Sequence, residues 1–292
     1  MLKISKISFP GLGIGEFTVN SEAFELFGKP IAWYALFITL GMILAVLYVI
    51  YRAKKINIKP EEILDFAIFV IPIGVIGARL YYVLSALHEF HSFWQIFEIW
   101  NGGLAIYGGI IAGAATVFCV CWYKKIYFPA FGDCVVPGVI LAQSIGRWGN
   151  FMNGEAYGGQ TDGWLRMGLE NSNTLFDFGT GEMVYVHPTF LYESLWNLVG
   201  FIAINFFYKH KKYDGQIILL VFGWYGLGRV WIEGLRTDSL YFPFFGTELR
   251  TSQVLAGAIL IACAAALIYF AFNPPKRELY IREEKPEKQE AK

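Results

Sequence analysis

Charge is what this chain has least of. Only 16% of its 292 residues are Asp, Glu, Lys or Arg, against about 25% in a soluble domain. With 55% hydrophobic residues beside that deficit, an ordinary water-soluble globule is excluded. Cysteine is scarce too. Cys119, Cys121, Cys134 and Cys263 all sit in apolar runs without a Cys-x-x-Cys pair, which excludes a disulfide framework and leaves buried packing. His88-Glu89-Phe90-His91 lacks the i, i+4 histidines of a His-Glu-x-x-His zinc helix. There is no Gly-x-Ser-x-Gly elbow, P-loop or dinucleotide fingerprint. Asp133 has no second intramembrane aspartate for an aspartyl dyad. Residues 1–30 show no short apolar core with a cleavage site, so the first span is expected to remain in the protein. Neither an internal repeat nor two matching halves with broken helices is visible.

What is present is long uncharged runs. Residues 31–51, after Pro30, and 251–272, before Pro274-Pro275, each suffice for a bilayer crossing of about 20 residues. Seven spans are expected, at 31–51, 66–87, 104–122, 132–146, 188–208, 215–235 and 251–272. The fourth is the shortest and is interrupted by Pro137. The expected fold is all-α and integral to the membrane: a seven-transmembrane-helix bundle over 1–275, with 149–187 as a small extracytoplasmic cap. Residues 276–292 form a charged cytoplasmic tail, expected to be disordered. Lys and Arg cluster in 52–59, 124–125, 209–212 and the tail, segments that share one side if seven helices cross. By the positive-inside rule that side is the cytoplasm, which puts the N-terminus outside.

Ionisable residues inside spans mark a functional site or a buried partner. Arg79 lies in the second span and Glu193 in the fifth, after His187-Pro188. Arg229, Glu233 and Arg236 follow in the sixth at i, i+4 and i+7. That spacing places all three on one helical face, with an excess positive charge. An interhelical charge network and an anion site both fit it. Residues 146–159, Gly-Arg-Trp-Gly-Asn-Phe-Met-Asn-Gly-Glu-Ala-Tyr-Gly-Gly, open the longest polar interruption. Arg147 offers a planar fork suited to phosphate, and glycine lets backbone approach a ligand. The alternative is a helix end and turn with Arg147 snorkelling to the interface. Tyr107, between two glycine pairs in 101–109, is either an interfacial aromatic or a hydroxyl facing the same outer cavity.

Gly146-Arg147-Trp148-Gly149-Asn150-Phe151-Met152-Asn153-Gly154-Glu155 resembles the signature of the bacterial prolipoprotein diacylglyceryl transferases. Trp33-Tyr34, Gly77-Ala78-Arg79, Gly102-Gly103-Leu104, His187-Pro188-Thr189 with Leu191-Tyr192-Glu193, Arg229 with Glu233 and Arg236, and Ser252-Gln253 also resemble that family, in order along about 220 residues. The resemblance implies transfer of the sn-1,2-diacylglyceryl group of phosphatidylglycerol to the lipobox cysteine of a preprolipoprotein, with glycerol phosphate leaving. It implies the outer face of the bacterial cytoplasmic membrane, no metal or organic cofactor, and no nucleic-acid partner.

It also assigns roles. Arg147 binds the lipid phosphate and Arg229 stabilises the leaving phosphate, with Glu233 and Arg236 orienting it. Asn150, Asn153 and Glu155 hydrogen-bond the head group, Gly158 permits close approach, Tyr34 lines the lipid pocket, and Arg79 joins the substrate-binding set. Many members carry histidine, the proposed base, where this chain has Tyr107. A tyrosine pKa of about 10 makes a poor base, so Glu155, the departing phosphate or no base at all remain open. Phe190 stands where some members carry glutamine. An anion transporter, or a membrane scaffold indifferent to alanine at Arg147, are the competing readings.

Overall fold

Apolar runs bounded by proline and charge become helices here because a helix satisfies its own backbone hydrogen bonds where water is absent. The computed structural model describes residues 4–99, 102–236, 241–244, 247–276 and 278–283. In chain order its elements are β1 (Ile4–Phe9), β2 (Ile14–Asn20), β3 (Glu22–Leu26), β4 (Lys29–Ala32), α1 (Trp33–Ala53), α2 (Pro60–Ser85), α3 (Ile106–Tyr123) and α4 (Phe128–Asn153). Then come β5 (Met167–Glu170), α5 (Ser172–Phe178), β6 (Val184–Val186), α6 (Thr189–Phe207), α7 (Gln216–Ile232), β7 (Tyr241–Phe244), β8 (Thr247–Arg250) and α8 (Thr251–Phe272). Every one of these helices except α5 is long and apolar enough to cross a membrane. The chain is a multi-pass membrane protein with seven spans.

One span differs from expectation. The fourth is not the shortest: α4 runs 26 residues, matching α2, and carries Pro137 inside it. Proline removes one backbone donor, and membrane helices tolerate that loss when neighbours re-satisfy the freed group. The Gly146–Asn153 signature is therefore helical, the last two turns of a span.

The described residues within 1–45 and 135–277 form one compact unit, and those within 46–134 and 278–292 a second; two of the boundaries fall within α1 and α4. In the first unit, β2, β1, β5 and β6 form an antiparallel sheet in that order. Ile7, Phe9, Val19, Tyr157, Met167, Leu169, Val184, Val186 and Phe190 bury one side of it, with Phe151, Met152 and Leu191 packed against them. The sheet thus rests on the end of α4 and the start of α6. On the sheet, Lys6 opposes Glu170 and bonds it at 2.8 Å. The hydrogen bond and charge of Glu170 hold the Lys6 ammonium above the ordinary lysine range.

In the second unit α2 and α3 pack closely, with no room for a side chain where Gly77 meets Gly108. The expected disorder of the tail does not extend to 278–283. Arg282 Nη1 lies 2.7 Å from both oxygens of Glu62. The Arg282 backbone N–H donates to Ile56, and its carbonyl accepts from Asn57 Nδ2 at 3.1 Å. Tyr280 meets Tyr127 with ring centroids 5.9 Å apart. A partly buried ion pair with backbone bonds outweighs the polarity of this short segment. Residues 284–292 lie outside the described residues.

Arg282→Ala removes the ion pair, a loss of about 1 kcal/mol. Limited chymotrypsin digestion of the variant is expected to cut the tail at Tyr280 roughly fivefold faster, with the helices resisting as in wild type. Unchanged cleavage would show that the Glu62 contact does not hold the tail.

Candidate active site

The C-terminal end of α4 is shaped by the sequence Asn-Gly-Glu. Gly154 adopts φ +58°, its N–H donates to Phe151 O at 3.0 Å, and the Glu155 N–H reaches Asn150 O at 3.1 Å. This is a Schellman closure with glycine in the left-handed position. Asn171 fixes it from outside, donating from Nδ2 to Gly154 O at 2.9 Å. The closure folds Glu155 back on its own helix. Glu155 Oε1 accepts from Asn150 Nδ2 at 3.2 Å and from Asn153 Nδ2 at 3.0 Å.

One turn further into the span, Arg147 donates to Asn150 Oδ1 at 3.2 Å and meets Glu193 Oε2 at 2.5 Å. Glu193 on α6 is the meeting point. Its other oxygen lies 3.3 Å from Arg229 Nη1 and 3.2 Å from Arg236 Nη1. Arg229 Nη2 reaches Glu233 Oε2 at 2.8 Å, close enough for charge attraction although out of line for a hydrogen bond. These side chains are largely withdrawn from solvent: Glu233 is 2% exposed, Glu193 7%, Arg236 10%, Arg229 15% and Arg147 25%. Among the described residues, the three guanidiniums and two carboxylates of this cluster leave one positive charge in a medium where charges interact strongly. A cavity of about 20 Å³, room for roughly one water, opens beside them between Gln143, Arg147, Glu193, Trp196, Asn197 and Arg229.

The i, i+4, i+7 spacing brings the sixth-span charges together, but not on one helix. α7 ends at Ile232, Glu233–Leu235 is a 3-10 turn, and Arg236 is extended. Arg236 is placed instead by backbone pairing, with Gly158 bridged to Arg236 and the Gly159 N–H donating to Leu235 O at 2.8 Å. The junction of β8 and α8 secures this end: Gln253 Nε2 on α8 donates to Val230 O at 2.7 Å, and Arg250, the last residue of β8, donates to Glu233 O.

Gly158 acts differently from the expected approach to a ligand. A Cβ there would meet His187 Cβ and Leu235 O at 2.7 Å, so its smallness serves protein packing. Tyr34, at the start of α1, packs into the notch left by Gly149, where a Cβ would come within 2.7 Å of its ring.

Arg79 and Tyr107 belong to the second unit. Arg79 donates to the carbonyls of Gln95 (2.6 Å), Ile96 (2.8 Å), Gly102 (2.7 Å) and Gly103 (3.0 Å). Its fork shapes that loop, and Arg79 also lines a cavity with Tyr82, Phe90, Gln95 and Glu98. Tyr107 lies beside Tyr81, ring centroids 6.4 Å apart. Asn101, the first residue of its glycine-rich stretch, is outside the described residues. Glu193 is the central residue that the site assignment from sequence omitted. Its signal was an unpaired-looking carboxylate in the fifth span beside a span with two arginines.

The fold and site together define a multi-pass membrane protein with a buried cluster of arginines and glutamates. The family model for prolipoprotein diacylglyceryl transferase matches residues 21–269. The chain is 41% identical over 263 residues to phosphatidylglycerol–prolipoprotein diacylglyceryl transferase 1 of Clostridium perfringens, covering 89% of this chain and 98% of that one. It is 42% identical over 267 residues to the transferase of that name in Clostridioides difficile (91% and 100% covered), and 41% over 273 residues to that of Enterococcus faecalis (92% and 97%). This chain belongs to the prolipoprotein diacylglyceryl transferase family, and is a transferase.

Replacing Glu193 by alanine would remove the carboxylate that three guanidiniums share in a buried site. Removing one partner of a buried pair costs about 3–5 kcal/mol, so Glu193→Ala should unfold at a markedly lower temperature in detergent micelles, with Glu193→Gln milder. Equal thermal stability of wild type and Glu193→Ala would show that the cluster is not held by this carboxylate.

Proposed function

We propose that this chain transfers the sn-1,2-diacylglyceryl group from phosphatidylglycerol to the lipobox cysteine of a prolipoprotein, the first step of bacterial lipoprotein maturation. The observation that carries this reading is the convergence of Arg147, Arg229 and Arg236 on the buried Glu193 carboxylate. Phosphatidylglycerol brings one phosphodiester negative charge. As sulfur bonds to the glycerol carbon, the C–O bond breaks, its electron pair leaves with glycerol phosphate, and the thiol proton passes to base or solvent. The phosphate then approaches a dianion. Fixed positive charge aimed at that developing charge lowers the barrier.

The roles follow from placement. Arg147 holds the lipid phosphate, since Asn150 and Glu193 engage only part of its five-donor fork. Arg229 faces the departing phosphate, and Glu193, Glu233 and Arg236 hold it in orientation. Asn150, Asn153 and Glu155 form one hydrogen-bonded unit that reads the glycerol hydroxyls. Tyr34 lines the lipid pocket. Arg79 contributes through the loop it shapes before Tyr107, without touching lipid. A cysteine thiol with a pKa near 8.5 is a minority thiolate at neutral pH, and the arginines raise that fraction whichever group takes the proton. The chain lies in the cytoplasmic membrane with its N-terminus outside, residues 149–187 as an outer cap, and the Lys- and Arg-rich connections inside.

The test is reconstitution of purified protein with phosphatidylglycerol and a lipobox peptide, read by mass spectrometry. Wild type should add one diacylglyceryl unit to the cysteine, and a peptide without cysteine should gain nothing. Arg229→Ala should lose about 10²–10³ in kcat, the loss typical of one transition-state donor, with Arg147→Ala at least as impaired. Folded wild type that yields no adduct would overturn the reading and turn attention to anion flux.

A further inference from the structure

Below the charged cluster, α6 and α7 are joined by a reciprocal contact built from one pattern written twice. Trp196 and Gly200 lie one turn apart on α6, and Trp224 and Gly228 one turn apart on α7. The two indoles stack with centroids 4.3 Å apart at 17°. Trp196 Nε1 donates to Trp224 O at 3.0 Å, and Trp224 Nε1 donates to Trp196 O at 3.0 Å. Each ring lies over the other helix's glycine, Trp196 on Gly228 and Trp224 on Gly200, with no room for a Cβ at either. An indole withdrawn even partly from water favours a partner for its N–H, and here each half-buried ring finds it on the neighbouring helix. Because the bonds are reciprocal, a slide of α6 along α7 by one residue, 1.5 Å, breaks both.

The position of this clasp gives it a consequence for the chemistry. Glu193 precedes Trp196 by three residues on α6, and Arg229 follows Gly228 directly on α7. Trp196 and Gly228 line the same small cavity as Arg147, Glu193 and Arg229. A second reciprocal clasp ties α6 to α4: Ser144 Oγ donates to Ser194 O at 2.8 Å, and Ser194 Oγ to Ser144 O at 2.9 Å. It lies beside Glu193 and one turn before Arg147. We infer that Trp196 and Trp224 are positioning residues: their clasp sets the register at which Glu193 meets Arg229, and so aims the guanidinium at the departing phosphate.

The inference rests on the transferase reading, and the reconstituted assay separates the two. Trp196→Phe and Trp224→Phe keep an aromatic ring and remove one N–H each. A misplacement of about 1 Å can cost up to 10²-fold, so kcat per folded molecule should fall roughly ten- to hundredfold in each variant. KM for the lipobox peptide should stay within about twofold, since the change lies in aim and not in uniform binding. The double variant should be no worse than either single one, because losing one half already frees the register.

Activity within about twofold of wild type in both variants would overturn the inference. So would a double loss equal to the product of the single losses. A variant that fails to fold also counts against it, by making the pair an element of stability alone. Wild type without an adduct would overturn the transferase reading and this inference with it.

Discussion

Everything at this site depends on burying Glu193 among three arginines. A lone carboxylate in that position would carry a prohibitive desolvation cost, and so would each guanidinium. Together with Glu233, and counted over the described residues, they use both Glu193 oxygens and keep one positive charge in surplus. Under the proposed function, the phosphodiester of the lipid offsets that surplus. The same arrangement therefore gives cohesion to α4, α6 and the end of α7 and selects the charge of what binds.

Such a cluster works only if its members arrive from different elements at fixed heights. The sheet seats the end of α4 and the start of α6 on one apolar core, through Phe151, Met152, Phe190 and Leu191. The Schellman closure at Gly154 turns Glu155 back toward Asn150 and Asn153, so a carboxylate outside the helix completes a network that begins inside it. Arg236, beyond the end of α7, is carried by backbone pairing with Gly158. Precision at the guanidiniums thus rests on parts that never touch a substrate.

The seven spans were legible because their signal is length and apolarity, which lipid imposes directly. The grouping of Arg229, Glu233 and Arg236 was legible from spacing, yet its mechanism was not. Helical periodicity cannot see that α7 stops at Ile232 and that a sheet-like bridge carries Arg236. Pro137 misled for a similar reason, since local rules end a helix at proline and membrane neighbours restore it. Gly158 and Arg79 looked like ligand groups because glycine and arginine serve packing and binding with the same atoms. The carbonyls around Arg79 and the crowding at Gly158 show the packing use of each, which residue type alone does not reveal.

Glu193 shows the limit most clearly. A carboxylate in a span announces a partner but not how many, and chain position gives no hint that Arg147, 46 residues earlier, and Arg236, 43 residues later, share it. The stacked indoles beneath it obey a pattern that could have been read, Trp-x-x-x-Gly on two successive spans. Its meaning is geometric: two antiparallel neighbours carrying the same five-residue pattern can clasp each other by a local two-fold exchange, with each ring filling the other's gap. Charge alone would draw Glu193 and Arg229 together at several registers. A clasp that is satisfied at one register converts that loose attraction into an aimed one, which is what transition-state stabilisation by a fixed charge requires.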